Sequence, residues 1–83
     1  MNYTIKTIVE FTLESGRKAR IEYNPDKVAG REVKLDGQNA KLFIDDRWVN
    51  FRDDHFGIYY KPEFMPDEIQ DLEDMNILDD YLN

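Results

Sequence analysis

The chain has no cysteine, a single serine (Ser15), a single histidine (His55) and no apolar run near the ~18 residues that cross a bilayer as a helix. Without thiols, neither a disulfide framework nor a thiolate metal site can form, a composition suited to a reducing compartment. Met1-Asn2-Tyr3-Thr4 lacks the basic and apolar regions of a signal peptide, so a cytoplasmic location is expected, with no membrane association. There is also no Gly-rich phosphate loop and no dinucleotide fingerprint. Nucleophilic catalysis has few possible parts here, and the expectation is a protein that is not an enzyme and carries no cofactor or metal.

What is present points to a small folded domain. A chain of 83 residues buries only roughly 60 to 65% of the surface its unfolded form exposes, enough for one modest core. A hydrophobic share of 41%, with eleven aromatics, is too high for a disordered chain. No repeat or linker divides it, so residues 1–83 read as a single domain: a β-rich body over 1–61 and an acidic helical tail over 62–83.

The net charge of −7 is unevenly placed. Residues 1–61 hold all eleven Lys and Arg against ten acids, a net of +1. The last 22 residues hold Glu63, Asp67, Glu68, Asp71, Glu73, Asp74, Asp79 and Asp80 and no base. Charge loaded onto one end suggests an interaction segment, whereas a uniformly acidic surface would suggest only solubility.

From Tyr3 to Leu13 the odd positions carry Tyr3, Ile5, Thr7, Val9, Phe11 and Leu13, the alternation of a half-buried strand. Ala19, Ile21 and Tyr23 repeat the pattern. A two-residue loop would mix the two faces. The three-residue loop Glu14-Ser15-Gly16 pairs Phe11 with Ala19 and Val9 with Ile21, and puts Gly16 at the left-handed position of a G1 bulge. Asn24-Pro25-Asp26 ends that strand. Val33 and Leu35, then Asp36-Gly37, then Ala40, Leu42 and Ile44 predict a second hairpin. A two-residue loop at Asp46-Arg47 would pair Ile44 with Val49 and Leu42 with Phe51. The run 56–61 alternates once more. Pro62 ends the sheet, and Pro66 followed by Asp67 and Glu68 opens a helix. A break at Asn76 yields two pieces, one with Ile69, Leu72 and Met75 inward and one with Ile77, Leu78, Tyr81 and Leu82.

The stretch DDRWVNFRDDH raises the question of a carboxylate or metal site. If Trp48 to Phe51 is a strand, Asp46 and Asp53 lie roughly 23 Å apart along the backbone, too far to share an ion. Aspartate is a favoured turn residue, so each pair is read as a turn. A local site at Asp53-Asp54-His55 would need three adjacent residues to converge on one centre. Trp48, Phe51, Phe56, Tyr59 and Tyr60 could build an aromatic cage or a base-stacking platform, but packing explains them more simply. Tyr59 alone falls on the face opposite Ile58 and Tyr60. Arg17, Lys18 and Arg20 form the one basic cluster, too small beside the acidic tail to expect direct nucleic-acid binding.

The expected fold class is therefore mostly β (α+β): a small antiparallel β-meander or SH3-like open barrel, closed by an acidic C-terminal helix, with an OB-like Greek key as the alternative. The expected function is that of a small protein-binding inhibitor or regulator whose partner is a protein with a basic surface, such as a nucleic-acid enzyme. The comparison with DNA-mimicking inhibitors of bacteriophages is one of size and charge only. Asp67, Glu68, Asp71, Glu73, Asp74, Asp79 and Asp80 would supply attraction and Tyr59 an anchor. The alternative is a structural or assembly module that binds through a sheet edge or by self-association, with no catalytic activity. The sequence leaves the oligomeric state open.

Overall fold

The computed structural model describes residues 6–25, 32–35, 40–51 and 59–82, with the backbone alone at 59 and 62. Among the described residues, six strands precede one α-helix: β1 Thr7–Thr12, β2 Lys18–Tyr23, β3 Val33–Lys34, β4 Ala40–Ile44, β5 Arg47–Val49 and β6 Tyr59–Tyr60, then α1 Met65–Asp74. Four of the strands form an antiparallel sheet in the order β1-β2-β4-β5, while β3 pairs with β6 in a separate two-stranded ladder. The chain is thus mostly β with a C-terminal helix, and the four-stranded sheet is not closed into a barrel.

The first hairpin follows the alternation in its sequence. Val9 pairs with Ile21 and Phe11 with Ala19, the register that keeps the apolar face whole. The Leu13 N–H donates to the Arg17 carbonyl and the Gly16 N–H donates to the Leu13 carbonyl, both at 2.9 Å. Gly16 has φ +93°, so glycine is needed to close this loop without a Cβ penalty.

Two strand expectations are corrected. Val33 and Leu35 do not form a hairpin with Ala40, Leu42 and Ile44. A strand has two edges, and β4 gives one to β2 (Ile21 opposite Leu42) and the other to β5 (Leu42 opposite Val49). With both taken, β3 pairs instead with β6, Val33 opposite Tyr60. The second correction is the turn after β4, which is Asp45-Asp46 and not Asp46-Arg47, so Ile44 faces Arg47 and Leu42 faces Val49. Asp45 and Asp46 have φ +51° and +64°, the paired left-handed conformations of a type I′ turn. The shift is by two residues, and the inward face is unchanged because the side-chain period is two. The reading of this aspartate pair as a turn holds, whereas Asp53, Asp54, His55, Phe56 and Ile58 lie outside the described residues.

The core collects Leu13, Ala19, Ile21, Leu42, Ile44 and Val49 from the inner sheet face, Val33 and Leu35 beside β3, and Met65, Ile69, Leu72 and Leu78 from the C-terminal segment. Successive helical residues advance by 100°, which sets Met65, Ile69 and Leu72 within about 60° of one another. Met75, expected inward, sits roughly 80° off that stripe and is 60% exposed. The break at Asn76 is present as a Schellman turn. The Ile77 N–H donates to the Leu72 carbonyl at 3.1 Å and the Asn76 N–H to the Glu73 carbonyl at 2.9 Å, with Asn76 left-handed at φ +59°. The chain then reverses into a 3-10 turn at Leu78–Asp80, which returns Leu78 to the core. No helix among the described residues is long and apolar enough to cross a membrane.

Asn76→Ala should cost about 1 kcal/mol, because alanine lacks the local polar contacts that let asparagine tolerate the left-handed region. Asn76→Gly should stay within about 0.5 kcal/mol of the parent protein. Urea midpoints at unchanged m-value measure both.

Candidate functional site: an acidic helix face

The helix is amphipathic in charge as well as in hydropathy. Because Met65, Ile69 and Leu72 are buried, Asp67, Asp71 and Asp74 at i, i+4 and i+7 share the opposite, exposed side. Their backbone positions rise by about 6 Å and then about 4.5 Å along the axis, making one short row of carboxylates. Glu68 and Glu73 flank the row and are half-buried, while Asp79 and Asp80 extend it, exposed, past the Schellman turn. The side chain of Tyr59 lies outside the description.

The expected acidic residues are thus divided by their contacts. Arg17 projects from the end of the first hairpin and makes three ion pairs, with Asp45 at 3.2 Å, Asp79 at 3.5 Å and Glu73 at 3.9 Å. The Glu14 N–H donates to Gln70 Oε1 at 2.7 Å, and Gln70 Nε2 donates to Asp74 Oδ1 at 2.9 Å. Together these contacts tie the hairpin loop to the second half of α1. Glu73 and Asp79 are therefore paired with the hairpin, while Asp67, Asp71 and Asp80 make no side-chain ion pair or hydrogen bond among the described residues. Sequence reasoning missed Arg17 and Gln70 as the helix anchors. The G1 bulge locates Arg17 beside the turn, but no spacing in the chain reveals that the helix end arrives there.

The basic cluster is largely neutralised in place. Arg20 Nε donates to Glu22 at 2.9 Å, its Nη1 bonds to Asp46, and the guanidinium lies 4.1 Å from the centre of the Phe43 ring. Asp45 Oδ1 accepts from the Lys18 N–H at 3.2 Å. A cavity of about 590 Å³ opens among Glu10, Lys18, Arg20, Asp45 and Asp46, where Asp45 and Asp46 are already ion-paired to arginines. No group of three metal-ligating side chains occurs among the described residues.

Among the described side chains, Trp48, Phe51 and Tyr60 do not gather into a cage. Phe51 turns inward, its ring centre 5.1 Å from that of Tyr81, and Tyr60 packs against the core. Trp48 faces the other way, 43% exposed, with Lys41 Nζ 5.7 Å from its ring centre. Trp48, expected to pack in the core or on a sheet face, lies beside Phe43 on the outer face because it alternates with the inward Val49.

Two glutamates titrate abnormally, in opposite directions. Glu68 is raised above the ordinary 4.5, first by burial and then by the neighbouring charges of Asp71 and Asp67. Its Oε2 is buried without a hydrogen-bond partner among the described residues. Burial, and then the charge of Glu68, likewise pushes up the Tyr60 hydroxyl. Glu22 is lowered, first by its hydrogen bond from Arg20 and then by that from Lys6.

The signs follow from linkage. The folded state binds the Glu68 proton more tightly than the unfolded chain, so this group costs stability as pH rises through the carboxylate range. Glu22 contributes stability that is complete above 4.5 and lost as pH falls through its lowered value. Glu68→Gln should raise the melting temperature at neutral pH, with the gain shrinking on acidification. Glu22→Gln should lower it at neutral pH, with the deficit closing in acid. A series of thermal melts from neutral pH into the acid range checks both.

Comparison of the chain with protein-family models, with curated proteins and with solved structures finds no match.

Proposed function

We propose that the protein is a small non-catalytic binding protein whose acidic C-terminal segment engages the basic surface of a nucleic-acid enzyme, acting as a DNA-mimic-type inhibitor. The carrying observation is the row Asp67, Asp71 and Asp74, exposed on a helix whose opposite side is buried and in a segment that contains no Lys or Arg. A flexible acidic tail would lose conformational entropy on binding, whereas carboxylates on a docked helix are already ordered. Their combined field speeds encounter with a cationic groove and disfavours other polyanions there. Met75, exposed at the end of the same helix, offers an apolar contact of the kind that slows dissociation. Asp67, Asp71 and Asp80 are the leading contact residues in this reading, because Glu73 and Asp79 are engaged by Arg17.

The test keeps the full chain, since α1 supplies part of the core. The parent protein and the variant Asp67→Asn/Asp71→Asn/Asp80→Asn are immobilised and exposed to cell extract at low and high salt, with and without excess duplex DNA. Nucleic-acid enzymes should be retained by the parent alone, released by salt and displaced by the duplex, because exposed charges are screened beyond a Debye length of ~8 Å at physiological ionic strength. Equal retention by the two proteins, insensitive to salt, would remove the acidic face from the function.

A further inference from the structure

β1 is an edge strand of the four-stranded sheet, and no strand pairs with its outer side among the described residues. Its register with β2 runs without a bulge from Thr7 opposite Tyr23 to Thr12 opposite Lys18, and the strand contains no proline. Two of the usual means of blunting an edge, proline and a bulge, are therefore absent from β1.

Leu13 both donates to and accepts from the β2 side of the hairpin, so its N–H and C=O point toward β2. Backbone groups alternate along an antiparallel strand, so those of Phe11, Val9 and Thr7 do the same. Those of Lys6, Ile8, Glu10 and Thr12 point away, toward the free edge.

The side chains of these residues are polarised along the strand. Ile8 is 52% exposed on the outer sheet face. Glu10 makes no ion pair among the described residues, because Arg20 opposite it is engaged by Glu22 and Asp46. Lys6 donates to Glu22 at 3.1 Å, and its ammonium group keeps two further hydrogens.

We propose that this edge is a self-association surface, in which two copies of the chain pair β1 to β1 antiparallel about a two-fold axis through Ile8. In that register Ile8 meets Ile8, and Lys6 of each copy lies opposite Glu10 of the other. Neighbouring registers lose this match. An axis through Glu10 or Lys6 sets like charges opposite each other, and an axis through Val9 or Thr7 sets Ile8 against Glu10 or Lys6. On the inner face, Val9 of each copy meets Thr7 of the other, continuing the half-buried side of β1 across the axis. An isologous contact of this kind closes at two subunits. The opposite edge, β5, has only three residues and offers no comparable ladder. The proposal does not use the acidic helix, so it stands or falls separately from the inhibitor reading.

Sedimentation equilibrium of the full-length protein, from micromolar to millimolar concentration, tests it alongside Glu10→Lys and the charge swap Lys6→Glu/Glu10→Lys. The parent protein should be a reversible dimer. Glu10→Lys should weaken dimerisation roughly tenfold or more, since it turns two attractive pairs into repulsive ones. The swap should recover the affinity, and the melting temperature of dilute Glu10→Lys should match that of the parent. Amide exchange should slow with concentration at Ile8 and Glu10 but not at Val9 and Phe11, which β2 already protects. A monomer at every concentration would overturn the proposal, as would a dimer unaffected by Glu10→Lys or a swap that fails to recover association.

Discussion

Burial of Met65, Ile69, Leu72 and Leu78 against the inner face of the sheet is the contact on which the other features depend. A four-stranded sheet in so short a chain has one apolar face and needs a cover, since apolar burial supplies most of the driving force for folding. The C-terminal segment is that cover. Its inward residues leave Asp67, Asp71 and Asp74 no place but the outside, so the acidic face results directly from how the core is closed. The tail is therefore an integral part of the domain, and charge and packing share one helix.

The same contact divides the charges by role. Arg17 and Gln70 join the first hairpin to the end of α1, and the acids they meet serve the fold. Asp67, Asp71 and Asp80, beyond their reach, stay exposed and keep their field. Glu68 shows the cost of lying between these groups, because one carboxylate oxygen is buried beside two like charges without a hydrogen-bond partner among the described residues. On the far side of the sheet, the outer face carries Arg20 over Phe43 and Lys41 near Trp48, so each aromatic ring there has a cationic neighbour. The two faces of the domain thus differ in chemistry: a carboxylate ridge on one side, and paired charges with scattered apolar groups on the other.

Local features of the chain were legible wherever side-chain periodicity or turn chemistry decides them. The register of β1 with β2, the left-handed Gly16, the helix stop at Asn76 and the inward set Ile69 and Leu72 all follow from neighbours within a few residues. The readings that failed share a different cause. A period of two assigns a face but no partner, so it could not tell whether Val33 and Leu35 would pair with β4 or with β6. It is equally blind to a shift of two residues, which is how the turn moved to Asp45-Asp46 while every strand residue kept its face.

By itself, then, the sequence determined the class of fold, the inward face of each main strand and the concentration of negative charge in one helical segment, because these depend on composition and on spacing along the chain. The tertiary structure decided which strand edges are shared, which carboxylates pair with Arg17 and which do not, and that β1 is left at an edge of the sheet. Those outcomes depend on competition among groups distant in sequence for a limited number of strand edges and cationic partners. Such competition is resolved only when the whole chain is packed.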